Sequence, residues 1–368
     1  MSKKQPKIPL FYPFIPKKDI LREISDTLSG RWLGQGIKVD LFEKEIGKKW
    51  GYKYPLFLNS GTSALELAYH LIGLKKDDEV IVPILDCTAG QMGLLRRGVK
   101  IVFADVDNNL NIDPDDVQRK ITKKTKAIVG VHLGGIHFNR NLYKVAKRHN
   151  IPLIVDSAQY HAPTRGDYIC YSFQAIKHIT TCDGGLLVLN NKKEYQRAKK
   201  LRWFGIDREL KTKHNYQAWE RREMTFDIEE AGYKMQPTDI DACFGLASLP
   251  YLDKVIKYRQ GLVKLYATLL PNDVGIIADD TCWLMGILTD ERDELAEYLT
   301  KHGIENNLIH LRNDIFKILG PRRSNCPNMD SLESKYIYLP LNPRVTVSDV
   351  KYVCKVINQF YGKQTDTK

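Results

Sequence analysis

Apolar residues in this chain gather into short unbroken runs, separated by stretches in which they recur at helical spacing. The runs at 55–58, 79–83, 99–107, 125–132, 152–156 and 184–189 predict strands. Between them, 39–50, 64–72 and 142–149 predict helices, the first with Phe42 and Ile46 on one face. An amphipathic helix over 17–30 precedes them and ends at Gly30. Continuous apolar strands alternating with helices imply a largely parallel sheet covered on both faces, an α/β architecture. After 189 come a charged helix, a polar stretch over 209–230 that reads as a mobile loop, and a helix over 240–249. A long helix from about 251 leads into a smaller C-terminal region with a strand at 282–288 and a helix at 292–302. The expected division is a large domain over 1–250 and a small α+β domain over 251–368, with segment 1–30 packing on the small domain. The tail after Tyr361 is expected to be loose.

Composition narrows the class. The 368 residues are 43% hydrophobic, enough for an ordinary core. No run approaches the roughly 18 apolar residues of a membrane span. The basic N-terminus lacks the apolar segment of a secretory signal. Seven cysteines are dispersed without a CxxC spacing, which reads as reduced thiols in a cytoplasmic protein and not as a disulfide framework or metal site. The net charge of +12 comes from lysines spread along the chain, and no nucleic-acid motif accompanies it. A solvated basic surface explains most of it, and a small anionic substrate such as a nucleotide diphosphate fits the sign.

Candidate chemistry concentrates in Tyr171-Ser172-Phe173-Gln174-Ala175-Ile176-Lys177-His178-Ile179-Thr180-Thr181-Cys182-Asp183-Gly184-Gly185. A lysine fixed on a tight turn can present a partly desolvated amine for a Schiff base. The two glycines suit close backbone approach to something bulky and flat, or positive φ. Most lysines of such a chain are solvated surface, so the setting matters. Upstream, Leu153-Ile154-Val155-Asp156-Ser157-Ala158-Gln159 puts a carboxylate just past a strand, where open α/β sheets bind ligands. Asn59-Ser60-Gly61-Thr62-Ser63-Ala64 joins a strand to a helix through a glycine turn, an anion site in principle and a plain N-cap otherwise. It is not a P-loop, because Gly-Lys-Ser/Thr is absent.

These stretches together, Ser-Phe-x-x-x-Lys-x-x-Thr-Thr-x-Asp-Gly-Gly preceded by Asp-x-Ala-Gln, resemble the DegT/DnrJ-type sugar aminotransferases from about Gly30 to the C-terminus. The resemblance implies a pyridoxal-phosphate (PLP) enzyme of fold type I, with a mostly parallel seven-stranded sheet and a smaller C-terminal domain. It implies that Lys177 carries the cofactor and moves the proton, that Asp156 faces the pyridine nitrogen, and that Gln159 meets the phenolic oxygen. Gly61, Thr62, Ser63 and Ser172 are expected to hold the phosphate. Members often have Thr-Phe or Thr-Tyr where this chain has Asp86-Cys87, so Cys87 would offer the ring a sulfur contact in place of an aromatic stack. Trp32 in the glycine-bounded loop, and His310 and Arg312 in the stretch 306–314, are candidates to face the substrate. Each has a structural alternative, Trp32 as a loop anchor and the others as packed polar residues. Members often read Gly-Tyr-Asn-Tyr-Arg where this chain reads Gly232-Tyr233-Lys234-Met235-Gln236, and Lys234 is expected to replace the asparagine that reaches the partner subunit's cofactor phosphate.

The implied reaction moves an amino group from L-glutamate to a nucleotide-linked 4-keto-6-deoxyhexose, giving a viosamine- or perosamine-like product, in a cytoplasmic homodimer with shared sites. Amination at C3 and PLP-dependent sugar dehydration are the neighbouring possibilities. Dehydratases of this fold carry histidine at the lysine position, and here that position is Lys177 with His178 beside it. A non-catalytic regulator binding nucleic acid through its positive charge is the reading from another class, and Lys177 with an intact Asp156 and Gln159 speaks against it. No metal and no membrane partner are expected.

Overall fold

The computed structural model describes residues 7–209, 227–279, 283–320 and 323–365. Most of the loop expected over 209–230, Cys282 and the extreme C-terminus thus lie outside the described residues.

Seven strands form the principal sheet: β1 (Tyr54–Leu58), β2 (Glu79–Pro83), β3 (Lys100–Ala104), β4 (Thr125–Val131), β5 (Leu153–Asp156), β6 (Tyr168–Ser172) and β7 (Gly185–Leu189). Their order is β1-β7-β6-β5-β4-β2-β3. The strands from β6 through β3 run parallel, and β7 is antiparallel to both β6 and β1. Side chains alternate across this sheet. Val80 and Val82 enter one core with Leu56 and Leu58, while Ile81 and Phe57 enter the other. The first core is closed by α3 (Gly61–Ile72), α4 (Ala89–Arg96) and α7 (Lys192–Leu201). The second is closed by α2 (Ile37–Trp50), α5 (Pro114–Lys120), α6 (Asn141–His149) and α8 (Asp239–Ser248). β6, α4 and α5 have no counterpart among the elements predicted from sequence. β3 stops at Ala104, short of the expected 107, because the Asp105 carboxylate turns the chain by accepting from the backbone N–H groups of Val106 and Met329.

The long helix α9 (Leu252–Leu269) leads to an antiparallel three-stranded sheet of β8 (Gly275–Ile277), β9 (Met285–Leu288) and β10 (Tyr336–Leu339). Helices α10 (Arg292–Lys301), α11 (Pro327–Leu332) and α12 (Val347–Thr365) complete this part, and α12 carries regular helix past Tyr361. The leading segment divides its contacts. Ile8 bridges Ile304 and Leu10 N donates to Glu305, beside β10, whereas α1 (Lys17–Leu28) packs against α8. Among the described residues no helix is long and apolar enough to cross a membrane.

Two polar devices hold the layers in register. Asp239 Oδ1 accepts from Gly36 N at 2.8 Å and Val39 N at 3.1 Å, satisfying the otherwise uncapped start of α2. Glu43 of α2 accepts from Phe57 N at 2.8 Å and from Arg202 Nη1 at 2.7 Å, an ion pair buried between helix and sheet. Burial pushes the Glu43 carboxyl up, and Arg202 opposes that.

Candidate active site

Asp156 and Ser172 are the last residues of β5 and β6, and Ser60 and Asp86 follow β1 and β2. All four therefore meet at one edge of the sheet, the edge where ligands of open α/β folds bind. There a cavity of about 540 Å³ brings together Gly61, Thr62, Cys87, Asp156 and Gln159 with Ser172, Lys177 and His310. A larger cavity, about 700 Å³, opens at Phe14, Lys17, Tyr251 and Lys254 and contains none of these residues.

The Lys177 turn is built by its hydroxyl neighbours. Phe173 O accepts from Thr181 N at 3.0 Å and from Thr180 Oγ1 at 2.9 Å, and Lys177 N donates to Gln174 O at 2.9 Å. Cys182 takes the left-handed φ of 68°, with its N–H donating to Thr180 Oγ1 at 2.9 Å. Of the two expected uses of the glycine pair, the structure shows close approach, since neither takes a positive φ. A Cβ on Gly185 would stand 2.2 Å from Ser60 O and 2.5 Å from Gly61 N, and one on Gly184 3.0 Å from the Phe57 ring, so the pair lets the backbone pass close to the β1–α3 turn and to an aromatic ring.

Burial lowers the Lys177 ammonium to about 8, opposed by Asp156, Cys87 and Asp86. Its Nζ lies 3.8 Å from the centroid of the Trp283 ring. Asp156 Oδ1 accepts from Ala158 N at 2.8 Å. Burial raises this carboxyl, while the Ala158 N–H and Lys177 pull it down. Asp86, also buried, is held well above the usual carboxylate range by desolvation and then by Asp156. Gln159 Oε1 accepts from Gly134 N at 2.7 Å, and its Nε2 meets His310 Nε2 at 2.9 Å. Burial and Lys177 hold His310 down at about 3, so its Nε2 is the acceptor in that pair.

Four expected residues lie apart from the cavity. Ser63 Oγ donates to Asn59 Oδ1 at 2.7 Å and its N–H to Ser60 Oγ at 3.0 Å. Its hydroxyl is committed to Asn59, and Ser60, which caps α3 by accepting from the Ser63 N–H, is the serine that lines the cavity. Arg312 is fully buried in an acidic cluster, gripped by both Asp314 oxygens at 2.7 and 2.8 Å and joined by Asp330 and Glu333. Its guanidinium ties these carboxylates together away from the cavity. Trp32 is 60% exposed on the α1–α2 loop. Lys234 is also exposed, with Nζ 5.7 Å from the Phe204 ring centroid, and lines no part of the cavity within its own protomer.

Asp86, Ser60 and Trp283 were not singled out as site residues from sequence. For Asp86 the departure from Thr-x at that position was the available signal. Trp283 lies two residues before β9, in a remote part of the chain, and nothing local marks it.

An amine, a buried carboxylate and the start of α3 on one cavity form a donor set that fits pyridoxal phosphate. The first-turn N–H groups of Gly61 and Thr62 have no helical acceptor and suit a phosphate. Comparison with known proteins gives the same answer. Residues 15–358 match the DegT/DnrJ/EryC1/StrS aminotransferase family. The spore coat polysaccharide biosynthesis protein SpsC of Bacillus subtilis is 30% identical, with 98% of each chain covered. The GDP-perosamine synthase of Escherichia coli O157:H7 is 29% identical over 96% of this chain and 99% of its own. The crystal structure of the sugar aminotransferase CalS13 from Micromonospora echinospora superposes with a TM-score of 0.87 at 27% identity, covering 96% of this chain and 99% of that one. With the lysine, the strand-end aspartate and the whole fold in agreement, the chain is a member of the DegT/DnrJ/EryC1/StrS family of PLP-dependent aminotransferases.

Proposed function

We propose that the protein moves an amino group from L-glutamate to C4 of a nucleotide-linked 4-keto-6-deoxyhexose, releasing a 4-amino-4,6-dideoxy sugar nucleotide and 2-oxoglutarate. The observation that carries this reading is the placing of Lys177 and Asp156 on one cavity at the start of α3. The choice of a nucleotide sugar is supported by the similarity to a GDP-perosamine synthase, and the choice of C4 by that to the dTDP-4-dehydro-2,3,6-trideoxy-D-glucose 4-aminotransferase of Saccharopolyspora spinosa, 27% identical over 90% of this chain. The free thiols of the described cysteines suit a cytoplasmic setting.

Pyridoxal phosphate supplies an electron sink for the pair left when the amino-bearing carbon loses its proton. Lys177 would take and return that proton, and an amine lowered to about 8 is neutral often enough near neutral pH to do so. Asp156 would pair with the ring nitrogen. Its burial makes a lone charge costly, and a cationic partner offsets that cost. Gly61, Thr62, Ser60 and Ser172 would hold the phosphate. Gln159 Nε2 has two hydrogens, and with one donated to His310 the second would be left for the phenolic oxygen. His310 stands with Asn307 on the C-terminal wall of the cavity and would face the sugar.

The test is incubation with glutamate and UDP-, dTDP- and GDP-linked 4-keto-6-deoxy sugars, with products read by mass. An aminated sugar together with 2-oxoglutarate is expected. A parallel panel of the 3-keto isomers is the control, and amination of that panel alone would move the assignment to C3. Loss of water from the sugar without glutamate consumption would replace transamination by dehydration.

A further inference from the structure

Trp283 is 2% exposed and sits where the C-terminal part of the chain meets the lysine turn. Its backbone N donates to Gly134 O at 2.7 Å, and its carbonyl accepts from the buried Arg259 Nη1 at 2.8 Å. The indole Nε1 donates to Ile176 O at 2.8 Å, one residue before Lys177. Phe11 stacks with the ring at 5.3 Å and 28°. The indole is thus fixed on several sides, and it carries Lys177 Nζ 3.8 Å from its centroid.

We propose that Trp283 is a positioning residue, whose indole face holds the Lys177 ammonium and governs when the amine is released as a neutral nucleophile. The proposal rests on the cofactor role of Lys177. A cation over an indole is attracted by the ring quadrupole, and the attraction grows when both are out of water. The other groups facing Lys177 are less constant. Asp156 comes from β5, and Asp86 and Cys87 from the β2–α4 loop. Burial raises all three, so their charge depends on their own protonation. His161 beyond β5 and His310 from the C-terminal part are held neutral by burial, both down to about 3. The indole is the one neighbour among these whose pull on the ammonium does not change with pH. Burial favours the free amine and the ring favours the ammonium. The balance keeps the amine parked beside the cavity until it loses its proton.

The experiment uses the full-length protein freed of cofactor, mixed with pyridoxal phosphate from about pH 6 to pH 10, a range that brackets the perturbed lysine. The neutral Nζ attacks the aldehyde carbon, a carbon–nitrogen bond forms, and the aldehyde oxygen leaves as water. Absorbance of the adduct gives a rate that rises with pH to a plateau. Titration of pyridoxal phosphate itself is common to all variants, so the midpoints are compared with one another. Trp283→Leu removes the ring face and the Nε1 bond, and its midpoint should fall by about one pH unit. Trp283→Phe keeps a weaker ring face without the Nε1 bond, and its midpoint should fall between leucine and wild type. A residue that only filled space would slow uptake by one factor at every pH and leave the midpoint alone, and that result would overturn the proposal. Equal midpoints for the two variants would assign the effect to the Nε1 bond and overturn it as well. Should the leucine variant not fold, Trp283→Met takes its place as the variant without a ring, and the same comparison with phenylalanine decides. No uptake by the wild-type protein would remove the cofactor role of Lys177, and the proposal with it. That outcome is distinct from uptake with unmoved midpoints.

Discussion

Lys177 is buried at the end of a turn whose hydroxyls are all committed to backbone, so its replacement should disturb chemistry more than structure. Lys177→Ala should abolish turnover and still bind the amine form of the cofactor. Lys177→Arg should also be inactive, because a guanidinium does not deprotonate at working pH. Full activity in either variant, read as aminated sugar formed per minute, would remove Lys177 from its role. Asp156→Asn keeps the shape and loses the charge facing the ring nitrogen. Its kcat should fall by more than tenfold, about 1.4 kcal/mol of barrier. The buried imidazoles give a prediction about acid. His132, His161 and His310 are each held down to about 3 by burial. The unfolded chain takes up protons on histidine from about pH 6.5 downward, while the folded chain refuses them. The stability these rings contribute is therefore complete above that pH and lost as pH falls below it. Buried Asp86 and Asp156, with raised values, act in the opposite sense, so the clean measurement is a difference. Urea midpoints between pH 7.5 and 5 should fall less steeply for His161→Phe than for wild type, and parallel curves would mean that the His161 ring is not held neutral. At this scale the sequence showed the reactive groups but not their partners. Asp314, the bidentate partner of Arg312, stands two residues away in the sequence, whereas Asp330 and Glu333 come from α11 and the residue after it, and nothing local announces them. Ser63 shares its first turn of α3 with Gly61 and Thr62, and the local pattern does not show that its hydroxyl is committed to Asn59 Oδ1.

Among the elements, strands with unbroken aliphatic runs were legible and aromatic or polar ones were not. β6 reads Tyr-Ile-Cys-Tyr-Ser, with every position buried, and its aromatic and hydroxyl content hid it. α4 carries two glycines in its eight residues, which suppresses helical expectation, and it is held by its contacts with α3 and β3. The junction of β7 with the β1–α3 turn was invisible in sequence, although the glycines that permit it were noticed. A methyl group at position 185 would collide with the backbone of Ser60 and Gly61, the residues that open the proposed phosphate site. Gly185→Ala should destabilise the fold by about 1–3 kcal/mol, the usual cost of forcing atoms into a packed site. It should also weaken cofactor retention. Urea unfolding and absorbance after gel filtration measure the two effects, and an unchanged protein on both counts would mean that the two turns move apart at little cost.

On the scale of the whole molecule, apolar side chains are exposed together on the surface outside the cavity. Leu28, Trp32, Leu33 and Ile37 are exposed between 49% and 77% around the α1–α2 loop, and Phe204 is exposed as well. Apolar side chains grouped in this way suit an interface between subunits, and a homodimer is the expected state by light scattering. Lys234 belongs to the same question. Its backbone is tied down, since it forms a bridge with Trp203 and its carbonyl accepts from Asn59 Nδ2 at 3.4 Å, but its side chain is exposed. With the Gln236 amide turned to satisfy its neighbours, the ammonium donates to that oxygen at 2.5 Å, a neutral partner that a phosphate would outcompete. We therefore expect Lys234 to reach the cofactor phosphate of the partner subunit. The contact would be charge-assisted, so salt is its probe. Wild-type protein should retain less pyridoxal phosphate as ionic strength rises. Lys234→Ala should retain less than wild type at low salt and respond to salt only weakly, because the screened contact is already gone. Lys234→Asn, which restores a neutral donor, should fall between them with an equally flat response. An alanine variant that remains dimeric and follows the wild-type salt curve would show that the phosphate is held by Thr62, Ser60 and Ser172 without help from across the interface.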